Sequence, residues 1–137
     1  MTVLVDTSVW SLALRRNRRD LSRDQLRVLS LLQELVIEGR AQLLGIVRQE
    51  LLSGIRHQQQ FERLRTALRA FEDVKITTSD HEEAAAISNR CRSAGIAGHP
   101  IDFLICAVAL RRKWAILTLD DDFQRYGRQL PLELLKV

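Results

Sequence analysis

The sequence predicts an α/β domain of three layers, with helices on both sides of a mainly parallel central sheet of four to five strands. Three observations carry that expectation. Short apolar runs without helical spacing alternate with longer segments whose apolar residues recur every three or four positions, and strands alternating with helices build parallel sheets. The chain has 137 residues, a length suited to one domain with a sizeable core, so residues 1–137 are read as a single unit. No internal repeat, low-complexity tract or linker divides it.

The first strand is Thr2-Val3-Leu4-Val5, which ends on Asp6 and passes through Thr7 and Ser8 into a helix beginning at about Ser8. Ligands in open α/β sheets bind beyond the carboxyl ends of the strands, which puts Asp6 where a site would lie. Aspartate also favours the helix N-cap, so at this position capping and chemistry both remain open. Leu12-Ala13-Leu14 then runs into Arg15, Arg16, Arg18, Arg19, Arg23 and Arg27, interrupted by Asp20 and Asp24. That cluster is either an exposed corner or a surface for nucleic acid or an acidic partner.

Ser22 to Gln25 spells a capping box, Leu26, Leu29, Leu32 and Leu35 follow at helical spacing, and Gly39 stops the helix. Ala41 to Gly45 is the second strand candidate. A helix from near Ile46 to Gly54 places Ile46, Val47, Glu50 and Leu51 on one face, so Glu50 points where the apolar residues point. Phe61, Leu64, Leu68 and Phe71 mark a packing helix, and Val74-Lys75-Ile76 is the third strand candidate. Ser79 to Glu82 is read as another capping box, with a stripe from Ala84 to Ala94 ending at Gly95. Pro100 suits a first helical turn, and Ile101 to Leu110 is apolar almost all round except at Asp102, the pattern of a buried helix. Ala115 to Leu119 is the fourth strand candidate, followed by Asp120, Asp121 and Asp122, and Pro131 to Leu135 is at best a short closing strand.

Bulk properties narrow the class. No apolar run approaches the ~20 residues that span a bilayer, and no basic region precedes an apolar one at the N-terminus. A cytoplasmic protein without membrane contact is expected. Cys91 and Cys106 lie inside apolar helical patterns and are read as buried thiols, while His57, His81 and His99 lack zinc-ligand spacing. Of the 21 cationic side chains 18 are arginine, whose planar fork suits phosphate. This leans toward nucleic acid, although a solvated basic surface accounts for the same count.

Four acids stand apart: Asp6 after the first strand, Glu50 on an inward helix face, Asp102 in the first turn of a buried helix, and Asp120 after the fourth strand. A parallel sheet brings strand ends and helix starts to one edge. Two carboxylates ~4 Å apart repel by about 4 kcal/mol at an effective dielectric of ~20. Such a group persists if protons are shared, if a basic residue intervenes, or if a divalent cation binds. Oxygen-only ligands suit Mg²⁺ or Mn²⁺, which can polarise a phosphoryl oxygen and activate water.

Val5-Asp6-Thr7-Ser8, Glu50, Pro100-Ile101-Asp102-Phe103-Leu104-Ile105-Cys106-Ala107 and Leu117-Thr118-Leu119-Asp120-Asp121-Asp122-Phe123 together resemble the PIN-domain ribonucleases, in particular VapC-type toxins of toxin–antitoxin pairs. The resemblance covers the whole chain in order. It implies a PIN-like fold, an Mg²⁺-dependent endoribonuclease (Mn²⁺ a substitute), RNA as substrate, a homodimer, and a cognate VapB-type antitoxin that occludes the acidic groove. Its ligands and catalytic acids would be Asp6, Glu50, Asp102 and Asp120, with Asp122 an alternative or additional ligand and Asp121 turned to solvent. Thr7 or Ser8 and Thr118 would be orienting hydroxyls, and Arg15, Arg16 and Arg19 would hold RNA phosphate or the antitoxin.

Rival readings fit less well. A haloacid-dehalogenase-type phosphatase needs a second aspartate two residues after the first, and position 8 is serine. A phosphoacceptor receiver domain needs an acidic pair after the first strand and a lysine after a late one. A non-catalytic PIN-like binding module would be expected to have lost one of the four acids.

Overall fold

The computed structural model describes residues 1–137. Three strands, β1 (Val3–Val5), β2 (Ala41–Gln42) and β3 (Ala115–Leu117), form one parallel sheet in the order β2-β1-β3. Every residue of β1 and β3 is fully buried. Successive strand side chains point to opposite faces, so burial of all of them means that both faces are covered. The helices α1 (Thr7–Arg15), α2 (Arg23–Ile37), α3 (Gly45–Leu52), α4 (Gln58–Leu68), α5 (Thr78–Ser93), α6 (Pro100–Arg112) and α7 (Asp122–Tyr126) supply that cover. α1 packs on α2 and α3, α3 on α4, and α5 on α6, which lies against β3. One apolar core runs through the sheet and both helical groups, and the free thiols of Cys91 and Cys106 are buried in it.

The sheet has three strands, not the four to five expected. At its two edges only single parallel bridges form: Leu43 to Asp73, one residue before the expected strand Val74–Ile76, and Ile116 to Leu134 within Pro131–Leu135. The first cannot extend because Thr77 already caps α5 and the Lys75 carbonyl accepts from Arg112. In the second, Pro131 offers no N–H to a ladder, and the Leu132 N–H bonds back to the Leu130 carbonyl.

Local chemistry explains most helix ends. Ser22 and Gln25 form the expected capping box at the start of α2. The second box lies two residues earlier than the sequence pattern suggested: Thr77 and Asp80, not Ser79 and Glu82, exchange side-chain and backbone bonds. Pro100 occupies the first turn of α6, where a missing N–H costs nothing. No helix is long and apolar enough to cross a membrane.

Candidate active site

The site grows from the junction of β1 and α1. The Asp6 N–H donates to the Leu117 carbonyl (2.9 Å), which joins the end of β1 to the end of β3 and brings residues 6 and 118 together. Asp6 occupies the N-cap position of α1, yet its carboxylate caps no backbone N–H of the helix. Its Oδ2 instead accepts from Ser8 Oγ and Thr118 Oγ1, both at 2.8 Å. Capping and site chemistry therefore separate here: the backbone of Asp6 starts the helix while its buried side chain belongs to the sheet edge.

The two hydroxyls then pass the register on. Ser8 Oγ accepts from the Leu119 N–H at 3.0 Å, and Thr118 Oγ1 accepts from the Asp120 N–H at 2.9 Å. Asp120 Oδ1 accepts from the Asp122 N–H at 2.9 Å, which folds the aspartate run into the first turn of α7. Asp102, in the first turn of α6, receives the Tyr126 hydroxyl on Oδ2 at 2.8 Å.

The outcome is a cluster in which one carboxylate oxygen each from Asp102, Asp120 and Asp122 lies within 4.8 Å of the others. Both aspartates that the sequence left as alternatives are thus in it, while Asp121 between them is exposed. Asp6 stands beside the cluster, joined to it through Thr118 and Asp120 and close enough for its charge to act on Asp102. Glu50 is half-buried on α3 and makes no hydrogen bond or ion pair to the others. Of the predicted hydroxyls Ser8 and Thr118 hold Asp6, whereas Thr7 Oγ1 is buried without a partner.

The electrostatics show uncompensated negative charge. Burial pushes the Asp102 carboxyl up to about 6 against the pull of the Tyr126 hydrogen bond, and the charges of Asp6 and Asp120 push it further. Burial likewise raises Asp6, despite its two hydroxyl donors. Arg48, near Glu50 in sequence, offers no relief: its guanidinium is committed to Asp73 and to the carbonyls of Leu68 and Phe71. The one cation in the cluster is Arg125, whose Nη2 donates to Asp122 Oδ1 at 2.6 Å. Helical spacing could have revealed it, since Arg125 follows Asp122 by one turn. Tyr126 and the wholly buried Asp80 also escaped the sequence reading, because their partners lie 24 to 32 residues away.

An all-oxygen donor set with one arginine against four acids fits a hard divalent cation. Asp102, Asp120 and Asp122 would hold it, with Asp6 alongside.

Comparisons with known proteins bear on this arrangement. The profile of the PIN domain family matches residues 3–129. No curated protein sequence matches. Among solved structures the chain superimposes on FitAcB from Neisseria gonorrhoeae with a TM-score of 0.76, 20% identity and coverage of 98% of this chain and 97% of that one. VapBC2 from Rickettsia felis, bound to a DNA fragment from its promoter, gives 0.71 at 18% identity, covering 98% of each chain. VapBC-5 from Mycobacterium tuberculosis, of the VapBC family of toxin–antitoxin systems, gives 0.68 at 18% identity over 100% of both. At such identities these likenesses speak for the fold.

Proposed function

The chain belongs to the PIN-domain family, and on that premise we propose that it is an Mg²⁺-dependent endoribonuclease of the VapC toxin type. In this reading it cleaves an RNA phosphodiester, acts as a homodimer, and is restrained by a VapB-type antitoxin. The observation that carries it is the convergence of Asp102, Asp120 and Asp122 beside the hydroxyl-braced Asp6, at the carboxyl edge of a parallel sheet. Toxin–antitoxin assemblies among the similar structures support the antitoxin partner.

Held by Asp102, Asp120 and Asp122, Mg²⁺ or Mn²⁺ in its place would supply Lewis acidity for a phosphoryl oxygen and for the attacking water. The protein's own part is positional. Ser8 and Thr118 fix one oxygen of Asp6, and Thr118 at the same time fixes the backbone of Asp120. Arg125 holds Asp122 from the solvent side and offers a donor for substrate phosphate. Glu50, half-buried on α3 with no hydrogen bond or ion pair to the cluster, is the acid this reading assigns to accept a proton from water. Cleavage leaves a 5′-phosphate and a 3′-hydroxyl.

The test is direct. Purified protein free of antitoxin should cut RNA in Mg²⁺, stop in chelator, resume with Mn²⁺, and lose cleavage in Asp6→Asn. Cutting at full rate in chelator or in that variant would sink the assignment. Sequencing the 5′ ends of the products identifies the target.

RNA is repelled by the acids, so its affinity has to come from elsewhere on the surface. Arg15, Arg16 and Arg19 are exposed and form no ion pair. Arg15 ends α1, roughly 13 Å along the axis from Asp6 at about 1.5 Å per residue, Arg16 caps it, and Arg19 follows in a short 3-10 turn over Arg18–Asp20. That distance suits phosphates two or so nucleotides from the cut. Replacing all three with glutamate should weaken RNA binding and reduce the slope of log affinity against log salt by about 2, given about 0.7 per phosphate on single strands. An unchanged slope would remove them from the RNA surface.

A further inference from the structure

The geometry points to Tyr126 as a positioning residue of the acidic centre, holding Asp102 in the orientation that a divalent cation needs. This inference rests on the reading of the cluster as a metal site. An aspartate carboxylate turns broadly about its last bond, and Asp102 has no other side-chain donor on either oxygen. The Tyr126 hydroxyl commits Oδ2 at 2.8 Å and leaves Oδ1 without a protein partner, on a carboxylate that has an oxygen within 4.8 Å of oxygens of Asp120 and Asp122.

The tyrosine is itself immobilised. Its ring is fully buried, tilted against Phe103 with centroids 5.2 Å apart, and edge-to-face on Phe123 at 5.3 Å. Phe103 is the residue after Asp102 on α6, and Phe123 is the residue after Asp122 on α7. The rings therefore bind together the two helices that carry Asp102 and Asp122, two of the three clustered acids. The loop before α6 closes over them at Gly98, where a Cβ would stand 2.9 Å from Tyr126 Cε1 and still nearer Phe103 Cζ. Only glycine fits.

A buried tyrosine hydroxyl commonly needs a partner, and Asp102 could be no more than that. The two roles differ in what they move. A partner that only satisfies the hydroxyl affects melting, whereas a positioning donor affects metal affinity and turnover. Donors placed behind metal ligands are typically worth 10–100-fold in one or both.

Tyr126→Phe keeps the ring and removes the donor. Mn²⁺ binding, followed by electron paramagnetic resonance on metal-free protein, should weaken roughly tenfold, and kcat for RNA cleavage should fall by a similar factor with KM unchanged. In an Asp102→Ala background the same substitution should leave the residual Mn²⁺ affinity unchanged, because the tyrosine acts through Asp102. An Mn²⁺ dissociation constant within twofold of wild type, or an equal loss in both backgrounds, would overturn the inference. Wild-type protein that binds no Mn²⁺ overturns this inference together with the metal reading. Protein that binds Mn²⁺ tightly without cutting RNA overturns the ribonuclease reading alone, and the dissociation constants still decide the role of Tyr126.

Discussion

Asp102→Asn should lower RNA cleavage by about 10³-fold while making the metal-free protein more stable at neutral pH. The first half follows from charge. Metal stabilisation of a phosphoryl transition state is worth several kcal/mol, and each 1.36 kcal/mol is tenfold in rate. Asparagine keeps an oxygen for the Tyr126 hydroxyl but removes the negative charge that faces the cation. The second half follows from linkage. Burial and the neighbouring acids raise the Asp102 carboxyl from 3.8 to about 6, so its ionised form is disfavoured in the folded state. Stability conferred by the protonated group is therefore present below about pH 4 and lost as pH rises to about 6, by up to about 3 kcal/mol. Asp6, also raised by burial, adds a slope of the same sign. Asp80 is held well below the usual range by Arg112, and its contribution is lost only as pH falls below about 4. Thermal melts in chelator should show the wild type melting lower at pH 7 than at pH 5. Asp102→Asn should narrow that gap and melt higher at pH 7. Cleavage within tenfold of wild type would remove Asp102 from the ligand set, and an unchanged melting profile would remove it as the source of the pH dependence.

What could be read from the chain was local. The Ser22 capping box, the proline that opens α6 and the buried character of that helix are all set within a few residues, and the structure has each of them. Strand number was not local. A short alternating run such as Val74-Lys75-Ile76 carries no mark of how many ladder bonds its neighbours leave it, and here the cap at Thr77 leaves only the bridge at Asp73 just before it. The same limit applies to the caps of α5. Thr77 to Asp80 and Ser79 to Glu82 both satisfy the pattern of a hydroxyl followed by an acid three residues on. Arg111 and Arg112, over thirty residues away, decide between them by pairing with Asp80.

The acids of the candidate site divide along the same line. Asp6, Asp102 and Asp120 were visible because each stands at the end or start of an apolar element, where polarity is out of place. Asp122 could not be chosen over or alongside Asp120 until the turn between them was known, since the Asp122 N–H to Asp120 Oδ1 bond aims both carboxylates at Asp102. Tyr126 had no signal of its own: an aromatic residue in a short amphipathic helix reads as core, which its ring is. Only its hydroxyl belongs to the site.

Asp80→Ala should be the most destabilising single change outside the apolar core, at about 3 kcal/mol. Asp80 is wholly buried and accepts five hydrogen bonds: from Arg111 Nε at 2.9 Å, Arg112 Nη1 at 2.8 Å and Nη2 at 2.9 Å, the Thr77 N–H at 2.9 Å and Thr77 Oγ1 at 3.2 Å. It thereby joins the first turn of α5 to the last turn of α6. Removing one partner of a buried ion pair costs roughly 3–5 kcal/mol when the other charge stays buried. Here the arginine side chains are 42% and 23% exposed and can regain water, which trims that cost. The lost capping box adds back about 1 kcal/mol. For a chain of this length the net loss corresponds to a fall in melting temperature of about 10 °C. Asp102 is held at the opposite end of α6, by Tyr126 rather than by this ion pair. Well below its melting point, Asp80→Ala should therefore keep Mn²⁺ affinity and turnover within a few-fold of wild type. Urea denaturation and a cleavage assay on the same preparation check both halves. A stability loss under about 1 kcal/mol would show that the buried charge is compensated elsewhere, and a collapse of Mn²⁺ affinity in folded protein would show that the two ends of α6 are coupled.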